Sequence, residues 1–236
     1  MKKSILRRCY EFIRDNVNTR VYENKVAYKF LKNCDSILDI GCGTGVFIAM
    51  DPKRIKGTDY NNLNVDVCIK KGYDAVVGNA LDLPFKDNTF DGVYLAHVLH
   101  IFNSNEAYKC MQEMIRVVKP DGIIVINTLG DYKRKWIHAE NARPYPPMAI
   151  RGMFNVPNPD TETSPVVTGL PSDVKQHNIW FRRPALFDLI SHASYRLNGL
   201  YNLLNGIQYS LFLRKYWKFD AYIIALKNSK KTNSNS

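Results

Sequence analysis

Several features that would assign this 236-residue chain to a familiar class are missing from it. No apolar run approaches the roughly 20 residues that span a bilayer, and charges throughout residues 1–20 do not fit a signal peptide. The five cysteines are odd in number and include no Cys-x-x-Cys pair, which argues against a disulfide framework and a zinc site. We therefore expect a metal-free cytoplasmic protein, either soluble or peripheral at the inner face of the membrane.

Acidic residues are scarce at the two ends of the chain. Residues 1–34 hold 9 Lys/Arg and 3 Asp/Glu, and residues 196–236 hold 7 and 1, whereas residues 35–130 hold 9 and 12. Basic ends around an acidic centre are consistent with an anionic partner such as a membrane surface, a phosphorylated substrate or RNA. The same charge would also serve as a solvated surface, and the sequence leaves both interpretations open.

A glycine-rich stretch at residues 37–47 carries the clearest motif. An apolar run containing Asp39 breaks into Gly41, Gly43 and Gly45, which predicts a buried parallel strand, a tight turn and the start of a helix. The missing β-carbons let a ligand lie against the backbone. The third glycine follows the second by two residues, whereas the dinucleotide fingerprint needs three, so a pyrophosphate cofactor is disfavoured.

Strand and helix patterns alternate after this turn. Predicted strands cover residues 55–59, 74–78, 90–95 and 123–127, with a helix at 106–118. The alternation predicts a parallel sheet covered on both faces, with ligands at the carboxyl ends of its strands. Asp59 ends the second strand, where an acid faces the ribose of an adenosine bound over the first turn.

Four segments in this order resemble motifs of the class I S-adenosylmethionine-dependent methyltransferases. They are residues 37–45, 57–59, 78–91 and 116–122, and the resemblance covers residues 33–130. Residues 176–190 are similar to a segment of the small-molecule and glycan branches. The resemblance implies an α/β fold, a three-layer αβα doubly wound sheet of seven strands, mostly parallel with the last strand antiparallel. Residues 219–227 look like that last strand.

The resemblance also implies S-adenosylmethionine as the cofactor and assigns residues to it. Asp39 and the backbone of the glycine turn would surround the methionyl part, Asp59 would hold the ribose hydroxyls, and Asn79 would lie beside the adenine. The family usually has an acid where Asn79 stands. The complete predicted set is Asp39, Gly41, Cys42, Gly43, Gly45, Asp59, Tyr60, Asn79, Ala80, Leu81 and Leu95.

Three histidines are candidate bases for the methyl transfer. The sulfonium of the cofactor already activates the methyl group, so the protein must align a nucleophile and, for an oxygen nucleophile, remove a proton. His97 and His100 follow the fourth strand, although the family often has a packing histidine at the second position. His177 precedes a predicted helix, where a helix-entry hydrogen bond is the alternative role.

The expected organisation is one methyltransferase domain with additions. It comprises an N-terminal helical cap at 1–33, a cofactor-binding core at 34–130, a substrate-lid insertion at 131–184, the rest of the domain at 185–227 and a disordered tail at 228–236. The proline-rich and aromatic-rich composition of the insertion suggests a substrate lid. Aromatic residues beside cations at 195–217 suit membrane-surface association, a homodimer contact or plain core.

Three functions remain open from the sequence. O-methylation of a small-molecule, glycan or lipid-linked acceptor is favoured, because Ala96-His97-Val98-Leu99 stands where enzymes that methylate amino groups carry Asn/Asp-Pro-Pro-aromatic. The basic ends make an RNA methyltransferase the first alternative, but the sequence has no recognised RNA-binding module. Asn79 and the absence of a certain base suggest the second alternative, a catalytically inactive cofactor-binding partner protein.

Overall fold

The computed structural model describes residues 19–129, 144–153, 174–182 and 221–229. The α-helices of these residues are α1 (Thr19–Leu31), α2 (Asn62–Lys70), α3 (Ser104–Val117) and α4 (Pro147–Met153). The strands are β1 (Ile37–Ile40), β2 (Ile55–Asp59), β3 (Ala75–Val77), β4 (Phe90–Ala96), β5 (Val118–Leu129), β6 (Val174–Arg182) and β7 (Ala221–Asn228). No helix among these residues is both long and apolar enough to cross a membrane.

All seven strands form one sheet in the order β3-β2-β1-β4-β5-β7-β6. The pairs from β3 through β5 are parallel, and β7 runs antiparallel between β5 and β6. The chain order reverses beside β1, which pairs with β2 on one side and with β4 on the other. Ligands of such sheets bind outside the carboxyl ends of the strands at this reversal. The predicted fold is thus confirmed.

Side chains alternate between the two faces of the sheet, and helices cover both. On one face Leu38 of β1 packs with Met111 and Met114 of α3. On the other face Ile37 of β1 packs with Leu31 of α1. Because both faces are buried, the carboxyl edge of the sheet is left as the place where polar side chains can meet a ligand.

Helix α3 shows why these segments become helical. Asn103 caps its first turn by accepting hydrogen bonds from two backbone N–H groups, and Glu106 in turn accepts a hydrogen bond from the Asn103 N–H. Ala107, Cys110 and Met114 follow at spacings of three and four and are fully buried against the sheet. The helix ends at Val117, one residue before the predicted end.

Some element boundaries differ from the sequence prediction. Strand β5 begins at Val118 instead of residue 123, because the turn-like residues 119–122 are taken up at an irregularity in the register, where Asp121 has a φ of +64°. Helix α2 was not predicted, since only Val65 and Cys68 of its nine residues are buried. The tail was predicted to begin at 228, but Asn228 is buried in β7 and its Nδ2 donates to the Lys119 carbonyl oxygen at 3.2 Å.

The predicted cap and lid are only partly described. Residues 1–18 of the cap lie outside the described residues, and α1 forms most of the remaining part. Within the predicted lid, α4 and β6 are described, and β6 belongs to the sheet instead of forming a separate cover. The role of the lid stays a prediction, as do the roles of residues 195–217, which lie outside the described residues.

Candidate cofactor and methyl-transfer site

The glycine turn leaves β1 at the carboxyl edge of the sheet. Gly41, Gly43 and Gly45 have φ values of +72°, +53° and +82°, which side chains rarely adopt. A β-carbon on Gly41 would lie 2.4 Å from a Val98 methyl group, and one on Gly45 would lie 2.7 Å from the Tyr73 ring. A β-carbon on Gly43 would meet nothing within 4 Å. Packing therefore explains two of the glycines, whereas Gly43 faces open space in which a ligand can lie against the backbone.

Asp59 connects the end of β2 to this turn. Its Oδ2 accepts a hydrogen bond from the Gly43 N–H at 2.8 Å, and its Oδ1 accepts from the Asn61 N–H at 2.9 Å and the Asn64 Nδ2 at 3.2 Å. A carboxylate offers about four acceptor positions, so Asp59 keeps capacity for a further donor such as a ribose hydroxyl. The residue is half-buried beside the open side of Gly43.

Asp39 is a buried carboxyl group without a hydrogen-bond donor to its side chain among the described residues. Its side chain is 3% exposed, and no hydrogen bond reaches it from the described parts of the chain. Burial, with a smaller contribution from the Asp59 carboxylate, raises the pKa of Asp39 to about 8. A ligand that carries positive charge would stabilise the ionised form, so the site fits a cofactor with an ammonium and a sulfonium group.

The adenine side of the predicted site is built from the residues after β2 and β3. Tyr60 is 81% exposed directly after Asp59, where its ring is available to a ligand. Asn79 is exposed, and its Oδ1 accepts a hydrogen bond from the Leu81 N–H at 2.9 Å. Asn79 therefore acts as a turn former in the structure, while Ala80 and Leu81 are half-buried beside it. An amide oxygen can accept two hydrogen bonds, so the predicted contact with an adenine amino group is compatible with this turn.

Two side chains of helix α3 hold the backbone of the loop that follows β3. Glu113 accepts a hydrogen bond from the Leu83 N–H at 2.8 Å. Arg116 donates to the carbonyl oxygens of Leu83 and Phe85 at 3.0 and 2.7 Å, and it pairs with the Glu113 carboxylate at 2.6 Å. This pairing lowers the pKa of Glu113, so the carboxylate stays ionised where it is needed as an acceptor.

Two residues of the predicted cofactor set face away from the open turn. Leu95 is fully buried in the core with Leu38 and Ile40. Cys42 is 7% exposed, and its sulfur lies under the turn against Gly57, where an added β-carbon would be 2.7 Å away. Only the backbone of these two residues is in a position to contact a ligand.

His97 follows β4 at the same edge of the sheet. Its side chain is 25% exposed, and its Nε2 lies 2.8 Å from Oε2 of Glu23. The same oxygen accepts a hydrogen bond from Nδ2 of Asn127 at 3.0 Å. The backbone of His97 has a φ of +55° and its N–H donates to the Asn127 carbonyl oxygen at 2.9 Å. Two chain segments therefore fix this histidine, one at the end of β5 and one on α1.

The other two histidines are placed differently. The His100 ring is 9% exposed and its centroid lies 6.3 Å from that of His97, so the residue belongs to the packed layer under the loop. His177 lies in β6 at a register shift, level with the middle of β5. Since β6 is three strands from β4, about 14 Å in a sheet, the structure does not bring His177 to His97.

Glu23, Asn127 and Tyr94 are polar residues of the site that sequence reasoning missed. Glu23 stands in a helix whose Lys/Arg excess suggested a solvated face, yet it is 1% exposed. Asn127 was seen only as the last residue of a buried strand. A polar residue at the carboxyl end of such a strand is the signal that could have found it.

Comparison with known proteins identifies the domain and the fold. A family model described as a methyltransferase domain matches residues 38–126. A solved S-adenosylmethionine-dependent methyltransferase from Archaeoglobus fulgidus superposes with a TM-score of 0.58 at 17% identity, over 92% of this chain and 99% of its own. Residues 38–126 therefore match a methyltransferase domain, and the fold is that of solved S-adenosylmethionine-dependent methyltransferases.

Curated relatives differ in the acceptor that their names state. The chain is 31% identical over 133 residues to a tRNA (carboxymethyluridine(34)-5-O)-methyltransferase of Arabidopsis thaliana, covering 53% of this chain and 33% of that protein. It is 33% identical over 112 residues to a demethylmenaquinone methyltransferase of Symbiobacterium thermophilum, covering 41% and 43%. The chain thus matches less than half the length of either protein.

Proposed function

We propose that this protein transfers the methyl group of S-adenosylmethionine to an oxygen atom of a small-molecule, glycan or lipid-linked acceptor. The observation that carries the proposal is the placement of His97, a partly exposed imidazole held by Glu23, at the carboxyl edge that also presents Gly43 and Asp59. The bound cofactor supplies a methyl group that is already activated. What the chain must add is alignment of the acceptor and removal of its proton.

His97 is the proposed base. A carboxylate only accepts hydrogen bonds, so the imidazole donates from Nε2 to Glu23 and keeps the lone pair of Nδ1 for a proton. The acceptor hydroxyl gives its proton to Nδ1 as its oxygen forms the new bond to the methyl carbon. Of the three predicted bases, His97 is the one for which the structure supports this role at the cofactor edge.

The charge of the core favours a compact acceptor over a nucleic acid. Residues 35–130 carry 12 acidic and 9 basic residues, and a polyanion gains its affinity from Lys and Arg that neutralise phosphates. A tRNA acceptor is the second candidate, because of the similarity to the Arabidopsis tRNA methyltransferase and the basic ends of the chain. Membrane association, a homodimer and the cytoplasmic location stay predictions.

Methyl transfer into separated acceptor pools tests the proposal. The purified protein is incubated with S-adenosylmethionine labelled in its methyl group and with total tRNA, a lipid and glycan extract, or a small-metabolite filtrate. We expect base-resistant label in the second or third pool, and His97→Ala should slow transfer by about 10²- to 10⁴-fold. Label confined to tRNA would favour the second candidate, and no transfer to any pool would contradict both.

A further inference from the structure

A buried polar cluster underlies His97 and draws on three parts of the chain. It consists of Glu23 and Asn24 of α1, Tyr94 of β4, His97, and Asn127 of β5. Glu23 Oε2 accepts from His97 and Asn127, and the Tyr94 hydroxyl donates to Asn24 Oδ1 at 3.0 Å. Asn127 Nδ2 also lies 3.5 Å from the Tyr94 hydroxyl and 3.4 Å from His97 Nε2.

Anchoring α1 to the sheet does not require this cluster. The apolar residues Ala27 and Leu31 are already fully buried against the sheet, and Tyr28 donates a hydrogen bond to Asp51 at 2.9 Å. Removing a carboxylate such as Glu23 from water costs free energy, and apolar side chains of similar size stabilise a core as well or better. Stability alone is therefore a poor reason for a glutamate at this position.

The backbone of His97 points to a positioning role instead. A φ of +55° is uncommon for a residue other than glycine and costs roughly 1 kcal/mol or more. Asn127 holds this conformation through its carbonyl oxygen, while its side chain holds the carboxylate that contacts the ring. One strand end thus fixes both the backbone of His97 and the partner of its side chain.

We propose that Glu23 is a positioning residue for methyl transfer, which acts by holding His97 as the Nε2–H tautomer with Nδ1 directed to the acceptor. This inference rests on the proposed function. As the acceptor O–H bond breaks, the proton passes to Nδ1 and the oxygen forms its bond to the methyl carbon. The sulfur–carbon bond breaks, its electron pair stays on sulfur, and the resulting imidazolium is stabilised by the carboxylate at 2.8 Å.

The tautomer can be measured without any acceptor. Nitrogen-15 NMR of histidine-labelled wild-type protein with bound S-adenosylhomocysteine should show His97, assigned by loss of its signals in His97→Gln, protonated at Nε2. In Glu23→Gln the two tautomers should mix, because an amide can donate as well as accept. An Nδ1–H tautomer in the wild-type protein would overturn the inference, whether or not the Glu23 variants fold.

Kinetics on the labelled acceptor pool give the second readout. Glu23→Gln should lower kcat by 10- to 100-fold with little change in the KM for S-adenosylmethionine, and Glu23→Asp should recover part of the loss. In a His97→Ala background the same Glu23→Gln change should alter kcat by less than about twofold, since Glu23 acts through His97. Equal losses of kcat in the two backgrounds would overturn the inference.

Tyr28→Phe is the matched control on the same helix. It removes the hydrogen bond to Asp51 and lies outside the cluster, so it should lower the Tm but leave kcat unchanged. A loss of kcat in Tyr28→Phe as large as that in Glu23→Gln would mean that any loosening of α1 slows transfer, and would also overturn the inference. Absence of transfer in the wild-type protein would contradict the proposed function, while the tautomer measurement would still test the cluster.

Discussion

Ionisation of Asp39 should set the pH dependence of cofactor binding. Its carboxyl group is buried next to Asp59, and its pKa is raised to about 8, so it is mainly neutral at pH 7 in the cofactor-free protein. The positively charged methionyl end of S-adenosylmethionine favours the ionised form. Binding should therefore release a proton from Asp39, and affinity should rise about tenfold per pH unit between about pH 5 and 7 and level off above about pH 9.

The same group should influence the stability of the cofactor-free protein with a definite sign. An unfolded aspartate has a pKa of about 3.9, so between about pH 4 and pH 8 the native state binds one more proton than the unfolded state. The free energy of unfolding should then fall as the pH rises through this window, by a total on the order of 5 kcal/mol from this residue. Asp39→Asn should remove the fall and leave the protein more stable than wild type at pH 8.

Calorimetric titrations with S-adenosylmethionine at pH 5, 6, 7, 8 and 9, in buffers of different ionisation enthalpy, measure both the affinity and the protons released. Asp39→Asn should bind weakly and with little pH dependence. The matched control is Asp66→Asn, the same chemical change at an exposed position of α2, which should behave as wild type. A flat affinity between pH 5 and 7 in the wild-type protein, or an equal slope in Asp39→Asn, would refute the reasoning.

Three further substitutions test the cradle and its support. Gly43→Ala should keep the fold and lower the free energy of unfolding by roughly 1 kcal/mol, because its φ is +53°. Calorimetry should show cofactor binding weakened more than tenfold, since the added β-carbon occupies the open space beside the turn. Unchanged binding would mean that the cofactor does not lie against Gly43. Gly41→Ala should be destabilised by roughly 2–4 kcal/mol in denaturant unfolding, because its β-carbon would overlap Val98, and a stability equal to that of Gly43→Ala would contradict this. Arg116→Met should lower the free energy of unfolding by roughly 3 kcal/mol, because it leaves the buried Glu113 carboxylate without this partner. It should also raise the KM for the cofactor, because Arg116 holds the loop after β3. A wild-type KM would mean that this loop does not contact the cofactor.

The candidate cofactor site could be predicted from the sequence because the residues that indicate it stand in short local motifs. The glycine turn, Asp39 and Asp59 lie on adjacent strands, and each strand is bounded by its own turn residues. Parallel pairing then places their carboxyl ends at one edge without further information. The structure confirms the parallel strands that the alternating pattern predicts and the seven-stranded sheet that the family resemblance implies.

The residues around the proposed methyl acceptor could not be predicted in the same way, because they are brought together by contacts between distant parts of the chain. Glu23 is 74 residues from His97 in the chain, and only the packing of α1 on the sheet brings the two together. Among the described strands β6 pairs with β7 alone, which begins 39 residues after β6 ends (221 − 182), and the Gln-His-Asn centre of β6 does not alternate as a strand usually does. His177 therefore seemed equivalent to His97 as a base, whereas the register of the sheet separates them.

The central claim is that the glycine turn and Asp59 form a site for S-adenosylmethionine. A calorimetric titration of S-adenosylmethionine at pH 8 into the wild-type protein and into Asp59→Ala tests it most directly. The wild-type protein should bind one cofactor per chain, and Asp59→Ala should bind at least tenfold more weakly, because the variant lacks both the predicted ribose contact and the hydrogen bond from the Gly43 N–H. Absence of binding to the wild-type protein, or equal affinity of the two proteins, would contradict the claim.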